Sequence, residues 1–374
     1  MRVRTPIWFP LLLAASLFCA RDGENPECAP ADVGCNPWAS FLLYNQAVPG
    51  SVLSGAGVTQ SSTCAMFAST DGRAWSTRFT LAAPCQSLRA IAYNGDRYVA
   101  VGGGAGQECY IVASENGLDW NQVTCPADAR SPNHVIAVNG VFYAVGGQNA
   151  ATNATVLTSS DGLNWTSWNT GAATFTYETI AYNFGSFYVA AGTGGGVDVS
   201  SDPTSIAFTD AGTGGVNLNN IAVAGSGAML AVNGTGVVRY TADGSAWSTP
   251  GTIFTNAPSG EGPFAVTAFG DGFLTGGGNI NTNDSCFVDS SADGFNYSGG
   301  YIMDPACTGD AGNGFAIFRQ GLVRGRYWSI GQEVQSGVID QTFIAYAADP
   351  TSTPWDYVFM DTDLLFDLHE ISGD

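Results

Sequence analysis

An Asp-Gly turn followed by an aromatic residue recurs between residues 69 and 355, and nothing else in the sequence restricts the fold as tightly. The fullest copies read Ser-x-Asp-Gly-x-x-Trp: Ser69, Asp71, Gly72 and Trp75, then Ser159, Asp161, Gly162 and Trp165. A third copy, Thr241, Asp243, Gly244 and Trp247, has Thr for Ser. Ser114, Asn116, Gly117 and Trp120 carry Asn for Asp, and Ser291, Asp293, Gly294 and Tyr297 end on Tyr. At Asp202 and Asp349 the Gly is replaced by Pro, and the aromatic (Phe208, Trp355) falls six residues after the acid instead of four. Successive acid or amide positions are 41 to 56 residues apart, the length of one four-stranded propeller blade. The chain therefore reads as all-β, a seven-bladed β-propeller of four-stranded antiparallel blades; the two degraded copies leave six or eight blades open.

A second phrase precedes each turn by about two strands. It runs IAYNGDRYVAVGGG from Ile91, VIAVNGVFYAVGG from Val135, TIAYNFGSFYVAAGTGGG from Thr179, NIAVAGSGAMLAVNGTG from Asn220 and AVTAFGDGFLTGGG from Ala265, with weaker copies near Phe41 and Phe315. Apolar alternation around Asn-Gly or other Gly-containing pairs is the pattern of a tight β-hairpin. Each unit is thus strand A, a tight turn, strand B, a polar loop, strand C, the Asp-Gly turn and strand D. Turn chemistry accounts for the repeated residues: the Asp or Asn oxygen accepts backbone N–H groups, Gly supplies a left-handed conformation, and the aromatic is expected to fold back over its own hairpin. The glycines at 102 to 104 and 192 to 196 lack a following helix and read as loop residues rather than a phosphate cradle.

These turns resemble Asp-box (BNR) repeats, found in sialidases and in many non-enzymatic β-propellers, including the photosystem assembly factor family. The resemblance covers most of the chain through its turns and hairpins. It implies a propeller whose Asp boxes lie on the face opposite the ligand site, and so implies fold rather than activity.

The N-terminus carries Arg2 and Arg4, an apolar stretch through Phe18, and then Cys19. Residues 1–18 read as a signal peptide, too short to span a membrane. A leader ending at Cys resembles that of a bacterial lipoprotein, with Cys19 acylated. Phe18 departs from the small residue expected there, so cleavage after Ser16 and free secretion form the alternative. Residues 19–37 are read as the lipid-anchor tether, 38–360 as the propeller, and 361–374 as a tail or closing strand. Ala20 resembles an outer-membrane sorting signal, which favours an outer-membrane or cell-surface location.

Nine cysteines leave eight once Cys19 is set aside. Cys64 and Cys85, Cys109 and Cys125, and Cys286 and Cys307 flank three turns in register, the first of each pair lying seven residues before the turn acid or amide. Three disulfides within blades, joining strand C to strand D or its exit, are expected in an exported chain, with a fourth between Cys28 and Cys35. The histidines are His134 and His369 and no CxxC occurs, which disfavours zinc.

The formal net charge is −20, taken to −22 by loss of a leader carrying two Arg, and lysine is absent. Such a surface repels nucleic acid and anionic lipid, leaving a lipid anchor as the membrane contact. Calcium has candidate ligands near Asp361 and Asp363 or near Asp304 and Asp310, but no calcium motif is present and no cofactor is assigned.

No catalytic residue is assigned either. A sialidase-like glycoside hydrolase demands three Arg around a substrate carboxylate, a Tyr–Glu nucleophile pair and an Asp acid. Arg73 and Arg97 sit in turns on the wrong face, leaving Arg78, Arg89, Arg130, Arg239, Arg319, Arg324 and Arg326. Phe318-Arg319-Gln320-Gly321 resembles the sialidase Phe-Arg-Ile-Pro signature without its Ile and Pro. His134 reads as a loop or packing residue. The expected function is a monomeric, non-catalytic surface lipoprotein that binds a protein or glycan through its B–C loops and D–A crossings, loops on a rigid scaffold being the usual seat of recognition. A purely structural envelope protein is the third reading.

Overall fold

The computed structural model describes residues 52–371, apart from 60–62, 83, 105, 148–153, 170–175, 193–194, 206–207, 234–235, 251–261, 279–285, 298–300, 303–312, 324–325, 336–337, 352–354 and 361–363. Cys19, Cys28, Cys35, Cys307 and the four aspartates proposed for calcium lie outside the described residues. The described chain folds into seven antiparallel sheets, which settles the blade count. Blade 2 shows the unit: Cys85–Tyr93, Tyr98–Gly104, Cys109–Ser114 and Asn121–Val123, hydrogen-bonded in chain order. The inner strands of blades 3 to 7 are Pro132–Val138, Tyr177–Asn183, Asn220–Val223, Gly262–Phe269 and Asn313–Val323. Blade 5 has three full strands, its fourth reduced to a bridge between Tyr240 and Ser248.

Burial follows position in the blade. Strand Tyr98–Gly104 is buried along its whole length, as a strand covered on both faces must be, whereas the outer Ser76–Thr80 is mostly exposed. Each inner strand touches the inner strands of the two neighbouring blades, and these contacts run in a complete circle.

The circle closes through the C-terminal segment. Leu364–Ile371 pairs antiparallel with Val52–Val58 and becomes the inner strand of blade 1, ahead of Cys64–Ser69 and Ser76–Thr80. That inner place, which the hairpin pattern gave to residues near Phe41, is thus filled from the other end of the chain. The Asp367 carboxylate then accepts the Ile91 N–H of blade 2 at 3.0 Å.

Seven apolar clusters fill the seven seams between blades. Every turn aromatic lies in one of them, always on the side of the preceding blade: Trp75 packs in the blade 7–blade 1 seam, Trp120 in the blade 1–blade 2 seam, and Trp355 in the blade 6–blade 7 seam. Phe208, Trp165, Trp247 and Tyr297 fill the corresponding places in the other four. The aromatic is therefore a wedge between blades rather than a cover for its own hairpin. The turn holds it there. Asp161 Oδ1 accepts the N–H groups of Leu163 and Asn164 at 2.9 and 2.8 Å, and the Trp165 indole N–H reaches Gly162 O at 3.1 Å. Donation by Asn164, from its backbone first and then its side chain, drives the Asp161 carboxyl far below the usual carboxylate range. Gly162 is required twice: its φ is +70°, and a Cβ there would come within 2.9 Å of Arg97 and Val99 of the preceding blade. The Asp202 and Asp349 turns replace this arrangement with one built on Pro, in which the acid accepts both the N–H and the hydroxyl of Thr204 or Thr351.

Two disulfides are described in full, Cys64–Cys85 and Cys109–Cys125, and Cys286 is also disulfide-bonded. Their placement corrects the expectation of three bridges within blades. Cys85 opens the inner strand of blade 2 while Cys64 opens the third strand of blade 1, so this bond staples one blade to the next inside their shared core. Cys109–Cys125 does remain with blade 2 and its exit. The Cys64–Cys85 loop spans 21 residues, for which loop closure predicts about 3 kcal/mol of stabilisation. Denaturant unfolding of a Cys64→Ala, Cys85→Ala double variant should register a loss of that order, and reductant should destabilise the wild type further because Cys109–Cys125 remains to be broken.

Candidate functional site

Six of the seven inner strands carry a one-residue β-bulge. The ladder passes from Leu88 to Ala90 without pairing Arg89, from Pro132 to His134 without Asn133, and from Tyr177 to Thr179 without Glu178. It likewise skips Phe264, Phe318 and Phe366. In blade 5 the corresponding residue is Asn219, immediately before the inner strand. An unpaired residue in a bulge is re-aimed out of the ladder, and all seven line one cavity of about 340 Å³ at the centre of the ring. Glu178 is the second residue of its strand and Asn133 the second of its own, so the bulges lie towards the D–A crossings and B–C loops rather than the Asp-Gly turns.

The glycines opposite the bulges make room for them. Gly102 lies near the end of one second strand and Gly146 ends another, and a Cβ on Gly102 would meet Leu88 Cα at 2.7 Å, one on Gly146 the Pro132 Cα at 2.5 Å. Gly102–Gly104 are therefore strand residues and not the loop expected from composition.

The wall of the cavity is divided by blade. Blades 2 to 5 contribute Arg89, Asn133, Glu178, Asn219 and Asn220; blades 6, 7 and 1 contribute Phe264, Phe318, Leu365 and Phe366, with Ile330, Arg319 and Gln332 from blade 7. On the polar side a chain of hydrogen bonds crosses three blades. Arg89 Nη1 donates to Asn133 Oδ1 and its Nε to Ser87 Oγ at 3.0 Å, while Asn133 Nδ2 donates to Glu178 Oε2 at 3.1 Å. Burial pushes the Glu178 carboxyl up, opposed by the charges of Arg89 and Arg319; burial also lowers the Arg89 guanidinium, opposed by Glu178. On the apolar side the Phe264 and Phe318 rings lie 5.2 Å apart.

His134, read from the sequence as a loop or packing residue just outside a strand, belongs to the blade 3 inner strand beside Asn133. Its Nδ1 lies 3.4 Å from the Ile180 N–H of blade 4, accepting in the manner of Asp367 with Ile91. Burial first, and the Arg319 charge second, hold the imidazole down at about 3. The folded value lies below the ordinary 6.5, so the stability this neutral ring contributes is complete above pH 6.5 and lost as pH falls through the folded value. Thermal melts at pH 7.5, 6 and 5 should show a falling Tm, with a shallower fall in His134→Gln, whose amide oxygen also accepts the Ile180 N–H.

The arginines do not form a sialidase-like clamp among the described residues. Arg89 and Arg319 reach the cavity. Arg78 is exposed on an outer strand, Arg130 donates to Ala129 O at 3.3 Å, and Arg239 donates to Thr213 O at 3.0 Å. Arg326 faces Asp356 at 3.9 Å beside Arg73, and Arg97 pairs with Glu115 at 3.0 Å, all in turns or at the strand ends beside them on the opposite face. Arg324 lies outside the described residues. Among the described residues no Tyr lines the cavity, and the Tyr177 hydroxyl donates to Asp198 at 3.2 Å. Among the described residues no three His, Cys, Asp or Glu are grouped to hold a metal ion, and no helix is long and apolar enough to cross a membrane.

Fold and cavity together define a seven-bladed β-propeller with an amphipathic central site. A family model described as the DUF6242 beta propeller domain matches residues 70–178. No curated protein matches the chain. Among solved structures, a putative 6-phosphogluconolactonase from Bacteroides uniformis is similar with a TM-score of 0.61 at 9% identity, covering 86% of this chain and 99% of that one. YCF48 bound to D1 peptide gives 0.53 at 12% identity, covering 77% and 94%. The Niastella koreensis GH74 enzyme gives 0.54 at 13% identity, covering 83% of this chain and 54% of the enzyme. At these identities the likeness is one of fold.

Proposed function

We propose that this chain is an Asp-box propeller serving as a lipid-anchored, non-catalytic binding module at the outer membrane or cell surface, engaging a protein or glycan through its B–C loops and D–A crossings. The observation that carries the reading is the division of labour between the two faces. On the turn face, backbone and side-chain groups are spent on one another: Asn94 Nδ2 donates to Gly140 O at 2.9 Å, Asn183 Nδ2 to Gly227 O at 2.6 Å, and Gly225 N–H to Gly270 O at 3.0 Å, each bond joining adjacent blades. On the other face six bulges, with Asn219 in the corresponding place of blade 5, turn side chains into an open cavity instead. The peptide in the YCF48 structure is support by analogy that propellers of this shape bind polypeptide. Hydrolysis of a glycoside is not part of the proposal, since two Arg and no Tyr meet at the site.

Capture by the full-length mature chain from envelope extracts and on a glycan array tests the binding role. Phe318→Ala and Gln332→Ala should abolish capture while leaving Tm within about 2 °C of wild type, as expected when truncation widens a cavity the side chains already line rather than opening a packed seam; capture that survives both substitutions rejects this face. The anchor has its own measurement: intact-mass analysis of the native protein should show acylation at Cys19, and Cys19→Ser should shift the protein from membrane to soluble fraction.

A further inference from the structure

The polar groups of the cavity are unevenly used. Arg89, Asn133 and Glu178 are bonded to one another, but Arg319 makes no hydrogen bond or ion pair among the described residues, and the side-chain amides of Asn219, Asn220 and Gln332 likewise have none. Gln332 is only 5% exposed and Asn220 only 6%. Buried amides are nearly always satisfied, and these face a shared space rather than packed protein. That space is bounded on its other side by Phe264, Phe318 and Phe366. Two guanidinium groups against one carboxylate give the cavity an excess of one positive charge, in a chain of net charge −20. Its volume, about 340 Å³, lies at the lower end of the range of small-molecule sites, about 300–1,000 Å³.

We propose that the central cavity binds a small organic monoanion, a carboxylate on an aromatic body, with the carboxylate on Arg319 and the free amides and the ring against the three phenylalanines. The proposal rests on the binding-face reading above and names what the cavity itself takes. A guanidinium offers a planar pair of donors matched to a carboxylate. The amides of Gln332 and Asn220 can donate to its remaining lone pairs. The apolar wall supplies burial for the ring at 4.5–7 Å centroid spacing, as is typical of aromatic pairs. A cation meets Arg319 and Arg89 unfavourably, and a neutral polar ligand leaves the Arg319 charge unpaired.

Isothermal titration of the full-length mature protein with 3-phenylpropanoate, 3-phenylpropanamide, propanoate and 3-phenylpropylammonium tests this without any variant. The expected order is 3-phenylpropanoate first, with the amide and propanoate each at least tenfold weaker and the ammonium ion without measurable binding. Arg319→Gln should lower 3-phenylpropanoate affinity at least tenfold and leave amide affinity unchanged, a comparison internal to a folded variant. Equal affinity for carboxylate and amide, or no effect of Arg319→Gln on carboxylate binding, overturns the assignment of the anion site. Absence of binding by all four overturns the ligand class; if envelope or glycan capture is still lost in Phe318→Ala, the binding face stands without it, and if that capture is also unaffected, both readings fall together.

Discussion

The seam between blades is the interaction on which the rest of the molecule depends. A single blade buries its second and third strands only if another sheet lies against each face, and the seven apolar clusters are those contacts. Seams of this kind are slippery surfaces, flat and apolar, and three devices fix how they sit. An aromatic from each Asp-Gly turn enters the seam with the preceding blade, the turn glycine lets side chains of that blade pack against its backbone, and in one seam the Cys64–Cys85 bond makes the join covalent. Truncating a buried Trp of this sort typically costs about 3–5 kcal/mol, so the turn is worth more to the ring than to its own hairpin.

This bears on what the sequence made legible. Turn residues announce themselves because Asp, Gly and Trp are chosen for local backbone chemistry that one strand-turn-strand unit contains. The blade count followed from their spacing, including the Pro-bearing copies at Asp202 and Asp349. What could not be read locally was which partner each device served. Trp75 and Cys85 look like members of their own hairpins until the neighbouring blade is beside them. The inner strand of blade 1 is a sharper case, because Leu364–Ile371 and Val52–Val58 share no local signal.

The central site was missed for a related reason. Its residues are an Arg, three amides or acids, and three Phe drawn from seven repeats, with no motif in common beyond one extra position in six of the inner strands. A signal was nonetheless present in the second strands. Runs such as Val101-Gly102-Gly103-Gly104 and Val145-Gly146-Gly147 are poor strand formers, and their glycines sit where a bulge on the facing strand leaves no room for a Cβ. Reading those glycines as accommodation rather than as loop would have pointed to Arg89 and Asn133 across the ladder. Arg319 was on the sequence-derived candidate list for a different chemistry, and of the seven arginines there it shares the cavity with Arg89.

Closure by Leu364–Ile371 sets the order of events during synthesis. Until residue 371 has arrived to pair with residue 52, the edge of Val52–Val58 has no partner on its inner side and the blade 7–blade 1 seam has only one wall. The nascent ring therefore carries an open, template-like strand edge for nearly the whole of its assembly, the condition under which sheet proteins join to one another. Covalent fixing of the blade 1–blade 2 seam falls at the opposite end of the chain, between residues 64 and 85. An oxidising compartment would thus secure the first two blades early, keeping the waiting edge attached to a formed sheet while the remaining blades are added.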